Sequence, residues 1–392
     1  MHSREAVSRP KRLLKGGVKH GGTACGRHAS RGYLKRIHIQ KNDEVETYYI
    51  SRAPTDIYRM KKDIYFRIEP RVQNSVVKYY LLREVNSDAR KFRASKLIKA
   101  GVMPTDAEVS RSILMHGFDL EMKCCEKVAS YRVQNFRYEH AADENAYLLL
   151  EKYRYLDLRY HDYLNPEEIK DHIKDHEYHY VHQSAKTIGN TFTFSEVAAM
   201  LDTGKIPNGK FLRDVNEIQN LYACSVLRNA DTRKVTLALI QKLRNMILAN
   251  IQTPEKLTRE NEIAVQKQLT RFYKRVADGY HPAEQVFLWH REFRTLKPFQ
   301  IGTRRVAREV VHYMILPFGY PLAFQSSMQT IGEDGRVYDR NFDKVIPELF
   351  EKYIGNRIPE LEAELRKKIN EKWDIQKNKL QKQLDLYLPS DT

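Results

Sequence analysis

Apolar and polar residues change period near residue 105, and that change divides the chain. Between residues 46 and 92 the segments VETYYI, DIYFRI and VVKYYLLREV alternate or run with β-branched and aromatic residues, bounded by Pro54, Asp63 and Asn86. They predict a small strand-rich subdomain. From Thr105 the period becomes helical. A helix is expected to open at Thr105-Asp106 and close on Gly117, followed by helices over about 118–138 and 142–161. Asn165-Pro166-Glu167-Glu168 starts another, and Thr193-Phe194-Ser195-Glu196 has the spacing of a capping box. Further helices are expected over 210–228, 232–252, 258–277, 282–295, 303–316 and 341–354. A charged helix over 358–388 would carry Leu361, Leu365, Ile369, Trp373, Leu380 and Leu384 on one stripe. The fold class is mainly α with a strand-rich N-terminal region.

Charge adds a feature that the period does not show. Residues 1–41 hold eleven Lys and Arg against Glu5, so this stretch supplies +10 of the chain's +17. Without a hydrophobic period it reads as a solvated basic arm over residues 1–45, either a solubilising tail or a non-specific nucleic-acid contact through residues 1–41. No apolar leader follows these charges and no run approaches 18 apolar residues, so a cytoplasmic protein without membrane contact is expected. Cys25, Cys124, Cys125 and Cys224 lack metal or disulfide spacing.

His172, His176, His179 and His182 form a cluster in DHIKDHEYHYVH. Helical spacing could turn some of them toward one metal, yet Ile169, Ile173 and Tyr180 continue the same stripe and no H-E-x-x-H occurs. The packing reading is preferred and no metal site is assigned.

Lys297-Pro298-Phe299-Gln300-Ile301-Gly302 leads into Thr303-Arg304-Arg305-Val306-Ala307-Arg308. Arginines in a first helical turn sit at the positive end of the macrodipole, which favours a nearby anion. Upstream, Ser184, Ile188, Gly189 and Asn190 mark a helix end. Taken together, these stretches resemble the Fic (Fido-fold) family of nucleotidyl transferases. That family places Ser-x-x-x-Glu-Gly-Asn before its core and His-Pro-Phe-x-Asp/Glu-Gly-Asn-Gly-Arg-x-x-Arg within it. Ser184, Gly189 and Asn190 match the first motif. His281-Pro282, His290, Phe293, Pro298, Phe299, Gly302, Arg305, Ala307 and Arg308 match the second and the helix before it. The resemblance covers about 170–352, and KYYLLREVNSDARKFRASKLI resembles the N-terminal region of archaeal and bacterial members. It implies a Fic helical core at 201–355, an N-terminal α+β region at 46–165, an inhibitory-helix-like segment at 166–200 and a C-terminal helix at 356–392.

The departures bear on function. In the family the motif His is the general base and an acidic residue holds Mg²⁺; here those positions are Lys297 and Ile301. A lysine carries its proton near neutrality unless desolvated or crowded by positive charge, and Ile301 offers no oxygen to a hard cation. Ile188 replaces the inhibitory Glu, which normally pairs with the arginine matched by Arg308, and Thr303 and Arg304 stand where the family has Asn and Gly. No Gly-x-Tyr/Phe-Arg flap signature occurs between 230 and 280.

The preferred reading is a pseudoenzyme that retains a phosphate or nucleotide site at Gly302, Thr303, Arg304, Arg305 and Arg308. ATP is its candidate ligand, Mg²⁺ is not expected at Ile301, and a protein target or antitoxin-like partner is implied. The alternative is an active protein adenylyltransferase (AMPylase) or phosphotransferase in which Lys297 is deprotonated by neighbouring arginines. Of the arginines, Arg305 and Arg308 share a face and are expected to dominate over Arg304. The structural alternative pairs both with acids such as Asp214 or Glu217.

Overall fold

The computed structural model describes residues 33–41, 44–52, 59–61, 64–139, 144–230, 234–321 and 357–371. The chain falls into two units, Met1–Pro54 and Thr55–Thr392. In the first, β1 (Tyr33–Lys41) pairs antiparallel with β2 (Glu44–Arg52), Lys41 facing Glu44 and Tyr33 facing Arg52. This corrects the expected arm over 1–45 at its C-terminal end. Ile37 and Ile39 alternate with Arg36, His38 and Gln40, a period of two that high charge does not forbid. Residues 1–32 of the arm lie outside the described residues.

The second unit opens with an antiparallel meander in the order β3 (Arg59–Lys61), β4 (Ile64–Gln73), β5 (Val76–Ser87) and β6 (Arg90–Ala100). Strand β6 runs past residue 92, where the expected strand-rich stretch ended. One face of β5 packs on α1 (Asp106–Asn135), a single helix of 30 residues. Gly117 was expected to end a helix and instead lies inside this one. A Cβ there would meet Phe66 Cζ at 3.2 Å, so the glycine admits the fully buried Phe66 ring rather than stopping the helix.

Helix α2 (Glu144–Tyr163) packs on α1. α3 (Pro166–Lys186) starts at the Asn165 cap and α4 (Phe194–Thr203) at the Thr193 cap, each with a complete capping box. α5 (Leu212–Ala230), α6 (Leu237–Leu248), α7 (Arg259–Ala277), α8 (Pro282–Leu296) and α9 (Thr303–Ile315) follow. α6 begins five residues later than expected because Thr236 caps it through Leu239 N–H. Residues 357–371 form α10, which buries Leu361, Leu365 and Ile369; Trp373, Leu380, Leu384 and the helix expected over 341–354 lie outside the described residues.

Second-unit architecture is thus mainly α behind a small sheet, as the sequence period indicated. Helix α9 is its centre, in contact with α5, α6 and α8. Val306, Val310, Met314 and Ile315 are buried as expected, and so is every other residue of α9 except Arg304. Among the described residues, no helix is long and apolar enough to cross a membrane. The expected divisions at 165, 200 and 355 all fall inside the second unit.

Buried charges tie these layers together. Glu121 of α1 receives Arg83 Nε at 2.6 Å, Arg159 Nε at 3.0 Å and Tyr155 Oη at 2.6 Å, joining β5, α1 and α2. Burial alone would raise this carboxyl, but Arg83 and Arg159 outweigh it and hold it at about 2. Glu151 receives Arg132 Nε at 2.6 Å and meets His281 Nε2 at 3.1 Å and Tyr320 Oη. Arg228 donates to Glu177 at 2.5 Å and to Glu309 at 2.9 Å. Each cluster crosses between elements and consists of charge-assisted bonds.

Candidate anion site at the start of helix α9

Helix α8 ends on Lys297, whose backbone is left-handed (φ 47°, ψ 57°) although it is not glycine and precedes Pro298. Both features are unfavourable for an L residue, so the loop is held by its surroundings. One closure is local: the buried Thr303 hydroxyl donates to Phe299 O at 2.7 Å, and Phe299 N–H donates back to Thr303 Oγ1 at 3.2 Å. Gly302, at φ 90°, is the N-cap residue of α9 and offers no capping side chain. The first N–H groups of a buried helix are thereby left facing the loop.

An open cavity of about 520 Å³ lies over that terminus. Its wall brings together Lys297, Gly302, Thr303, Arg304 and Arg305 with Ile188 of the upstream motif. The predicted anion residues converge, with three qualifications. Arg308 does not line the cavity: it is buried behind it, donating from Nε to Ser184 Oγ at 2.9 Å and from Nη2 to Ser184 O at 3.0 Å. Burial pushes its guanidinium down to about 10, so it stays charged at neutral pH. Thr303 contributes backbone only, since its hydroxyl is turned to Phe299.

Arg305, finally, is paired. Its Nη2 lies 2.7 Å from Glu217 Oε1, the structural alternative weighed from the sequence, while Asn190 Nδ2 donates to Glu217 Oε2 at 3.2 Å and to Asp214 O at 3.0 Å. Glu217 of α5 thus bridges the two motif segments. Burial lowers the Arg305 pKa, opposed by Glu217 and reinforced by Arg213.

Arg304, expected to matter less than Arg305 and Arg308, takes the opposite place. It is the exposed residue of α9, lines the cavity, and no described residue bonds its guanidinium. Lys297 is likewise exposed on that wall. Sequence reasoning missed Arg294 and Gln300, which complete the lining; the only signal was Arg294, one turn before Lys297 on α8. His281 and His290 match the resemblance but lie in the core, His281 on Glu151 and His290 pushed to about 3 by burial and by Arg294 and Arg308.

The donor set does not suit Mg²⁺. Among the described residues no carboxylate lines the cavity, Ile301 presents an apolar chain that is 42% exposed, and Glu217 is engaged on both oxygens.

The histidine stripe divides. His179 stacks on Phe194 with ring centroids 4.0 Å apart and His182 meets the same ring edge-on, so these two pack between α3 and α4. His172 and His176 turn to a different cavity.

No family model matches the chain. Among solved structures, a Fic domain containing signaling protein from Bacteroides thetaiotaomicron is 18% identical over 58% of this chain and 97% of its own, with a TM-score of 0.40. Fic-1 from C. elegans is 17% identical over 67% of this chain and 85% of its own, with a TM-score of 0.42. A Fic family protein from Desulfovibrio desulfuricans is 12% identical over 65% of this chain and 79% of its own, with a TM-score of 0.40.

Proposed function

We propose that this chain is a Fic-type pseudoenzyme that binds a nucleotide or another phosphorylated ligand by its anionic end and does not transfer AMP. The observation that supports it is the cavity wall at the start of α9, where Lys297 and Arg304 stand with uncapped backbone N–H groups beside the Glu217-paired Arg305, and no carboxylate of the described residues lines the cavity. Cations around a helix N-terminus complement phosphate, and arginines add directional bonds. ATP is the candidate, bound without Mg²⁺, the cations replacing the metal as the neutralising charge.

The same wall argues against turnover. Proton abstraction from a target hydroxyl needs a base, and Lys297 lies exposed at the mouth without the burial on which basic lysines depend. A protein partner reading the loaded state, in a cytoplasmic setting consistent with the buried free thiols Cys124, Cys125 and Cys224, completes the proposal.

The test is incubation with ATP labelled on the α-phosphate, with and without added protein, beside equilibrium binding of ATP. Bound ATP without covalent label is expected, with Arg304→Ala weakening binding by roughly tenfold, the loss of one charge-assisted contact. Label that appears in the wild type and vanishes in Lys297→Ala would overturn the proposal in favour of an active transferase.

A further inference from the structure

Helix α2 carries Asp157 and His161 one turn apart, and α3 carries His172 and His176 one turn apart, beyond the tight connection at Leu164-Asn165. The fold brings one pair against the other. Ligand atoms of Asp157, His161 and His172 all lie within 4.8 Å of one another, and the His172 and His176 rings are 4.2 Å apart between centroids. All four residues line one cavity of about 260 Å³, which also reaches Gly319 and Tyr320 after α9.

The cluster is not explained by internal bonding. Asp157 is only 7% exposed, with the charge of Arg357 acting on it. Nε2 of His172 is buried and has no hydrogen-bond partner. A buried imidazole nitrogen left without a partner in a cavity shared with a largely buried carboxyl group is costly unless something joins them. Their ligand atoms lie within 4.8 Å of one another, close enough for one ion to reach both. Two ligands on a tetrahedral zinc ion sit about 3.4 Å apart, each roughly 2.1 Å from the metal, so side-chain rotation of about 1 Å completes the set.

We propose that Asp157, His161 and His172 form a site for a divalent transition-metal ion of the zinc class, with His176 within reach as a fourth ligand. Imidazole with carboxylate is a donor set for zinc rather than for magnesium or calcium. The opposing charge is Arg357 of α10, felt by Asp157, His172 and His176; it is held by Glu360 at 2.5 Å and by the Tyr153 hydroxyl. Glu177, also in the wall, gives one oxygen, Oε2, to Arg228. This site is distinct from the one at α9 and stands whether or not that one binds nucleotide.

The full chain, stripped with EDTA and exchanged into chelator-free buffer, would be titrated with Zn²⁺ against a chromophoric chelator and with Co²⁺ by visible absorption. One Zn²⁺ per chain is expected, together with the intense absorption of tetrahedral or five-coordinate Co²⁺ and a raised melting temperature. His172→Ala and Asp157→Asn should each weaken binding by at least ~10-fold, and His161→Ala/His172→Ala by ~100-fold or more. His179→Ala/His182→Ala should leave it unchanged. The cobalt spectrum of the wild type decides the matter even where a variant unfolds. No bound metal, only weakly absorbing octahedral cobalt, or zinc retained in His161→Ala/His172→Ala would overturn the proposal, the last by placing the ion elsewhere, for instance on His2, His20 and His28.

Discussion

Arginine plays two parts in this molecule, and their surroundings separate them. Arg83, Arg132 and Arg228 are buried across elements, each within 2.6 Å of a carboxylate oxygen. Around the loop before α9, Arg304 and Lys297 are exposed on a cavity wall where no carboxylate of the described residues stands, and Arg305 shares Glu217 with Asn190. Residue type therefore says little about role. What separates a structural cation from one poised for a ligand is the balance of opposite charge within reach.

The largest effect is expected in the core. Arg228→Ala leaves Glu177 and Glu309 facing each other at no more than 4% side-chain exposure, which should lower stability by about 3–5 kcal/mol in chemical denaturation. Acid should weaken the same class of interaction. Glu121 and Glu151 are each held at about 2, below their ordinary 4.5, so their contribution is complete above pH 4.5 and is lost as pH falls toward 2. Unfolding between pH 6 and 2.5 should show that loss, and Glu121→Gln should flatten it. An unchanged slope would mean that these carboxylates do not carry it.

Arg305 tests the boundary between the two classes. Arg305→Ala removes the shorter of Glu217's two ion pairs, while Arg213 at 3.6 Å and Asn190 remain, so a moderate loss of about 1–3 kcal/mol is expected together with weaker ATP binding. Arg304→Ala should weaken binding with stability unchanged within about 0.5 kcal/mol. A melting temperature that falls as far for Arg304→Ala as for Arg305→Ala would erase the distinction.

The loop backbone should respond modestly to substitution. Gly302→Ala should cost about 1–2 kcal/mol, because φ 90° is unfavourable for an L side chain although the nearest neighbour, Leu248, leaves room at 3.7 Å. Lys297→Gly should be neutral or stabilising by up to about 1 kcal/mol, and Lys297→Val destabilising, since the left-handed conformation at that position favours glycine.

Local chemistry explains which features were legible in advance. The caps at Asn165 and Thr193 use side chains two or three residues from the groups they satisfy, so spacing alone located them. The buried face of α9 at Val306, Val310, Met314 and Ile315 followed from its apolar spacing. Gly117 misled because a glycine that admits a distant Phe66 ring has the same local signature as one that ends a helix. The cavity cations were visible in the linear motif, but their ranking was not: Arg308 turned inward to Ser184 and Arg304 outward, a choice made by how α9 is rotated against α3 and α5. Asp157 and His161 gave no signal, since their relation to His172 exists only once α2 and α3 meet.

Calorimetric titration of the wild-type chain with ATP, in EDTA and again with excess Mg²⁺, tests the central claim most directly. The charge arrangement at α9 predicts one binding event in EDTA whose affinity does not improve when Mg²⁺ is added. Binding that requires Mg²⁺, or no binding in either buffer, would contradict it.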